Sequence, residues 1–211
     1  MKTIKLQKNN ITKNQLAEIA DYFLNGKVVA YPTDTIYGLG CLAENQKAVE
    51  RVSKIKRRFG AKGYVVLMKS FCMVHDYCFV SKKQDRYLRT LWAPKSADLA
   101  HLEGLPNKKA ITVILKSRGF LKETESKEGK IAVRIPKDRF LLDLLKKINK
   151  PIVSTSLNIS GQPTLNTLDG LGDYFGQYSP DLAVDNGKIK NKKASQLLDI
   201  ADIDNIRIIR K

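Results

Sequence analysis

Residues 28–41 read VVAYPTDTIYGLGC, and the change of character halfway along decides how the rest of the chain is read. Val28, Val29, Ala30 and Tyr31 have the apolar, partly β-branched composition of a buried strand. Pro32 ends it, because proline has no N–H to give to a ladder. Thr33, Asp34, Thr35 and Tyr37 follow with hydroxyls, a carboxylate and a phenol, and Gly38 and Gly40 predict a tight turn and close backbone approach. Upstream, Thr12 precedes a run in which Leu16, Ile19, Ala20, Phe23 and Leu24 keep helical spacing, and Asn25 with Gly26 supplies the stop. Helix, strand and polar mouth in that order describe an α/β unit, whose ligands bind where strands end.

The alternation continues down the chain. A helix is predicted over 46–57, with Val49, Val52 and Ile55 on one face, and a strand over 63–68. A helix over 84–92, strands over 110–116 and 131–136, a helix carrying Phe140, Leu141, Leu144, Leu145 and Ile148, and a strand over 151–156 complete a mixed α/β pattern. Segments 95–109 and 116–130 read as loops at the rim. At 211 residues, 43% hydrophobic and 28% charged, residues 1–211 fit a single globular domain.

Lysine and arginine number 38 against 21 acidic residues, a net charge of +17 that attracts polyanions such as nucleotides or RNA without choosing between them. The aromatic residues are scattered singly, which argues against stacking on unpaired bases. No G-x-x-x-x-G-K-[S/T] occurs, so a P-loop enzyme is excluded. The N-terminus lacks the apolar stretch of a signal peptide and no membrane-length apolar run follows, so a cytoplasmic location is expected. Cys41, Cys72 and Cys78 are an odd number and read as buried thiols outside any disulfide framework. Cys72, His75 and Cys78 offer at most three metal ligands with no second cluster, so no metal site is expected.

Three polar clusters lie where strands or helices end. Thr33 to Tyr37 form the first, where the hydroxyls either position a small ligand or cap local turns. Lys56, Arg57, Arg58 and Lys62 form the second, fit either for phosphate or for the macrodipole of a helix C-terminus, worth about 0.3–1 kcal/mol. In the third, STSLNISG, the strand runs into Ser154, Thr155, Ser156, Asn158, Ser160 and Gly161, while Leu157 is expected to turn into the core on the alternate face.

Taken together, YPTDTIYGLG, the run Lys56-Arg57-Arg58 at a K-x-R position, IAVRIP, and STSLNISGQP with S-x-N at Ser156 and Asn158 resemble the YrdC/Sua5 family of threonylcarbamoyl-adenylate synthases. The likeness is to the short bacterial TsaC-like form, since the chain stops soon after IRIIRK. It implies a YrdC-like twisted mixed sheet flanked by helices, with a basic concave face. It implies an enzyme that joins L-threonine, bicarbonate or CO2 and ATP into threonylcarbamoyl-AMP with release of pyrophosphate, for t6A modification at position 37 of tRNA.

By the same resemblance Lys56 and Arg58 hold ATP phosphates, with Ser156 and Asn158 facing them, and Mg2+ arrives on the ATP. Thr33 contacts the amino acid, and Tyr37, Lys62, Thr112, Arg134, Ser154, Ser195 and Arg210 complete the substrate contacts. Replacing Lys56 or Arg58 by alanine is then expected to weaken ATP binding with little change in stability. Weak tRNA binding and a downstream tRNA threonylcarbamoyltransferase complex are the implied partners, with no membrane. The chain departs from the family at WAPKSADLAHLEGLPNKKAIT, which replaces a W-P-G-P-x-T segment and keeps Trp92 and Thr112 only across an insertion. It departs again at Phe59, where a proline is usual. The alternative is a YrdC-like RNA-binding module without synthase activity.

Overall fold

The run at 28–31 is apolar on both faces because both faces are covered. The computed structural model describes residues 1–6, 11–58, 63–92, 110–189 and 193–211. In chain order its elements are β1 (Lys2–Lys5), α1 (Lys13–Leu24), β2 (Val29–Tyr31), β3 (Gly38–Gly40), α2 (Gln46–Ile55), β4 (Val65–Leu67), α3 (Phe71–Tyr77), β5 (Cys78–Phe79), α4 (Lys82–Trp92), β6 (Ile111–Ser117), β7 (Lys130–Arg134), α5 (Arg139–Ile148), β8 (Ile152–Ser156), α6 (Leu171–Phe175), β9 (Leu182–Asp185), β10 (Gln196–Asp199) and β11 (Arg207–Arg210). The strands form one continuous sheet in the order β1-β9-β2-β3-β8-β4-β7-β6-β10-β11, with β5 added beside β6. It is mixed: β9 runs parallel to β1 and β2, while β3 is antiparallel to both β2 and β8.

Side chains alternate across the sheet with the period of two that a strand imposes. Val29 and Tyr31 face one core while Ala30 faces the other, and Ile152 and Val153 divide in the same way. The first core is filled by Ile19 and Phe23 of α1 and by Leu141 and Leu145 of α5. The second takes Val52 and Ile55 of α2, Val74 of α3 and Leu88 of α4. Leu157 is fully buried in the second core, as its place on the alternate face requires.

Most local expectations are met. Thr12 and Gln15 form a capping box at the start of α1, worth about 1 kcal/mol. Three readings are corrected. Gly38 and Gly40 are the ends of β3, not a turn, and a Cβ at Gly40 would stand 2.1 Å from the Val153 carbonyl oxygen, so the close approach is real. The helix predicted over 46–57 stops at Ile55, with Lys56 as its C-cap and Arg57 in the left-handed region at φ 48°. The cysteines are not all buried: the stretch around Cys72, His75 and Cys78 is α3 leading into β5, and Cys72 is exposed at the start of that helix while Cys78 is buried. His75 Nε2 meets Asp85 Oδ1 of α4 at 2.8 Å. The cysteines are free thiols. Of the rim segments, 116–130 holds the ends of β6 and β7, and 95–109, with the altered stretch before Thr112, lies outside the described residues. Among the described residues, no helix is long and apolar enough to cross a membrane.

Candidate active site

The loop after β2, the C-terminal half of β8 and the strands β4 and β7 surround a cavity of about 380 Å³, closed on its far side by residues 194–197 and Arg210. Thr33 is held in place by its own turn. Its hydroxyl donates to the Ile36 carbonyl at 2.6 Å and accepts from the backbone N–H groups of Thr35 and Ile36 at 3.1 and 3.2 Å. The two readings of that hydroxyl coexist, since a turn cap also lines the cavity.

Lys56 leaves the end of α2 and runs under the S-x-N turn. Its ammonium donates to the Ser156 carbonyl at 2.6 Å and to both the carbonyl and Oδ1 of Asn158 at 2.9 Å. Ser156 Oγ donates to the same Oδ1 at 2.6 Å, and Asn158 Nδ2 donates to the Gln162 carbonyl at 2.5 Å. All the donors of the ammonium are therefore used within the protein, and the residue is 3% exposed. Burial first, and the neighbouring Arg58 charge second, push the Lys56 ammonium down to about 8. The structure runs against a stability-neutral Lys56→Ala, because the substitution removes three hydrogen bonds from an ammonium and takes the donor from the buried Asn158 carbonyl.

Arginines supply the positive wall. Arg58 lies 4.5 Å over the Tyr64 ring and donates to the Gly63 carbonyl at 3.1 Å. Arg134, at the end of β7, forms an ion pair with Asp34, their side chains 7% and 19% exposed. Arg210, on β11, donates from Nε to the Ser195 carbonyl at 2.9 Å and from Nη2 to Ser195 Oγ at 3.3 Å. Burial and the charge of Arg134 hold its pKa below the usual guanidinium range.

Thr33, Arg58, Arg134, Ser154, Ser156, Ser195 and Arg210 thus line one cavity. Lys56 and Asn158 stand immediately behind it, and Thr112 is fully buried with its hydroxyl 2.7 Å from Ser195 Oγ. Tyr37 lines an adjoining hollow that shares Ile36, Thr164 and Ala194 with this cavity; its hydroxyl donates to the Gly187 carbonyl at 2.7 Å and accepts from Asn186 N–H at 3.0 Å, so it fastens the turn after β9. Burial pushes that phenol up to about 12. Lys62 lies outside the described residues. Tyr64 and Thr164 were missed as lining residues, Thr155 of the third polar cluster also lines the cavity, and Asp34, noted only as a turn carboxylate, proves to be the partner of Arg134. Tyr64 left a signal: an aromatic at the start of a strand, six residues past an arginine.

The Sua5/YciO/YrdC family profile, described as telomere recombination, matches residues 21–211. A threonylcarbamoyl-AMP synthase of Serratia proteamaculans is 26% identical over 189 residues, 90% of this chain and 93% of that protein. The E. coli YciO crystal structure superposes with a TM-score of 0.82 at 22% identity, covering 100% of this chain and 96% of that one. The P. abyssi Sua5 structure complexed with L-threonine superposes with a TM-score of 0.73 at 22% identity, covering 94% of this chain and 53% of that one. These two likenesses carry the fold.

Proposed function

Because the chain belongs to the Sua5/YciO/YrdC family, we propose that it is an L-threonylcarbamoyladenylate synthase. Residues 1–211 act as one unit around one continuous sheet. The threonine amine takes up CO2 and loses a proton, giving a carbamate. A carbamate oxygen then bonds to the α-phosphorus of ATP as the bond to the β-phosphate oxygen breaks, and pyrophosphate leaves. No protein nucleophile is needed, so the work left to the protein is positioning and stabilisation of charge.

The observation that carries this reading is the convergence of Arg58, Arg134 and Arg210 with the hydroxyls of Thr33, Ser154 and Ser156 on one cavity. Guanidinium groups suit phosphate and carboxylate oxygens, which they can meet with paired donors. Arg58 and Arg210 face the triphosphate, with Ser156 opposite. Arg134 and Thr33 hold the amino acid. Lys56 and Asn158 act through the turn they fasten, keeping Ser156 in place. Mg2+ rides on the triphosphate, a lining of hydroxyls and guanidinium groups being better matched to phosphate oxygens than to a bare cation. The product is consumed by a transferase acting on tRNA position 37.

Purified protein given ATP, L-threonine and bicarbonate should release pyrophosphate only when all three are present. Release without threonine, or none with the full set, would reject the assignment.

A further inference from the structure

Away from the cavity, the pairing of β5 with β6 places Cys78 opposite Ser117 and Phe79 opposite Lys116, and so gathers aromatic and basic residues that are far apart in sequence. We propose that the face formed by Phe79, Arg118 and Phe120 is a stacking platform for unpaired RNA bases. It is independent of the synthase site. Cys78 is buried, so its neighbour Phe79 points outward and is 55% exposed. Phe120 is 68% exposed. It is presented by a turn at Gly119, whose φ of 85° favours glycine and whose N–H donates to Ser117 Oγ at 3.0 Å. Tyr77 supports it edge-on, with ring centroids 6.2 Å apart.

Arg118 packs on Phe79 and precedes Phe120 by two residues across the Gly119 turn. Its guanidinium lies 4.9 Å over Phe79 while Nε donates to the Cys78 carbonyl at 3.1 Å, so the plane is held flat without help from a ligand. Beside it a hollow of about 400 Å³ is bounded by Phe79, Lys116, Arg118, Gln84 and Asp202. Exposed lysines at 82, 116 and 122 flank the rings. Of the nearby acids, Asp204 is paired with Lys83 and Glu125 accepts from Ser117 Oγ, while Asp202 and Glu123 remain toward solvent. Exposed rings offer π-faces on which unpaired bases stack, whereas the faces of bases in a duplex are already covered, and arginine stacks on bases as well as rings. The net charge of +17 favours a polyanion over a protein as the occupant. The aromatics that looked isolated along the chain are thus clustered by strand pairing.

The test is fluorescence anisotropy at about 0.15 M salt, with a labelled single-stranded RNA of about ten nucleotides and with the same sequence as a duplex. The single strand should bind more tightly than the duplex. Phe79→Ala and Phe120→Ala should each weaken single-strand binding about tenfold with the salt slope unchanged, whereas Lys116→Gln should lower the slope by about one. Both aromatic variants should keep the wild-type melting temperature and threonine-dependent pyrophosphate release, so failure here is distinct from failure of the synthase reading. Unchanged RNA affinity in the double variant, or equal affinity for duplex, would overturn the proposal. So would sedimentation showing a wild-type self-association that the double variant loses, which would give the face to a protein contact.

Discussion

At one end of the cavity β8 meets the last turn of α2 in the middle of the sheet; at the other, β10 and β11 form its edge. Both ends offer a cation. Lys56 is buried with its ammonium spread over oxygens of Ser156 and Asn158. Arg210 belongs to a strand exposed along its whole length, with Ile208 and Ile209 at 56% and 53% exposure beside it. The interior cation holds up the fold at the point where it serves the site, so any change there is felt twice. The edge cation can be altered with little structural consequence.

The comparison breaks most readily at Lys56. Lys56→Met should lose about 3 kcal/mol of stability, because it removes three charge-assisted hydrogen bonds and takes the donor from the buried Asn158 carbonyl, and should abolish most turnover. Urea unfolding alongside pyrophosphate release measures both, and a variant as stable as Arg210→Met would erase the distinction. Next in size, Arg134→Gln should cost about 2 kcal/mol by leaving the Asp34 carboxylate unpaired. Adding Asp34→Asn should recover part of that loss, and a double-mutant cycle with no coupling would show the pair to be idle. Arg58→Ala should weaken ATP binding about tenfold or more by calorimetry while costing under about 1 kcal/mol of stability, and Arg210→Ala should do the same to a smaller degree.

The smallest effect is in pH. The folded Lys56 titrates near 8, below the ordinary lysine value of 10.5. Between those values the unfolded chain holds a proton that the folded chain has released, so this group raises stability as pH rises. Its contribution to turnover runs the other way, because the neutral amine has one N–H fewer for the S-x-N turn. Activity falling through pH 8 while the urea midpoint holds or climbs is the expected pattern. Parallel decline of the two would give the limb to another group.

How far the sequence shows all this depends on whether a segment's signal is local. α1 and α5 are legible from helical spacing, and α1 also from Thr12 before it, because these signals report on neighbours a few positions away. β3 is hidden by its glycines, which have no side chain to show a period and are there because the Val153 carbonyl leaves no room for one. β9, β10 and β11 have four residues each and are strands only because partners far along the chain pair with them. In the site, motif residues carry their place in the order of the chain, which brought Thr33, Arg58, Ser156 and Arg134 to one cavity. Side-chain direction is another matter: Tyr37 sits in the same motif as Thr33 and points to the turn after β9. Nothing in the spacing of Lys56 says that it would be buried.

The strand order also bears on the sequence of events at the ribosome. The cavity takes Thr33 from the early chain, Ser156 from past its middle and Arg210 from β11, which reaches the site only by pairing with β10, itself laid parallel to β6. Chains emerge from the N-terminal end, and helices such as α1 can form as soon as they appear, whereas this cavity needs contacts between distant stretches. A nascent chain halted before residue 210 could carry most of the sheet and still lack a wall of its binding site.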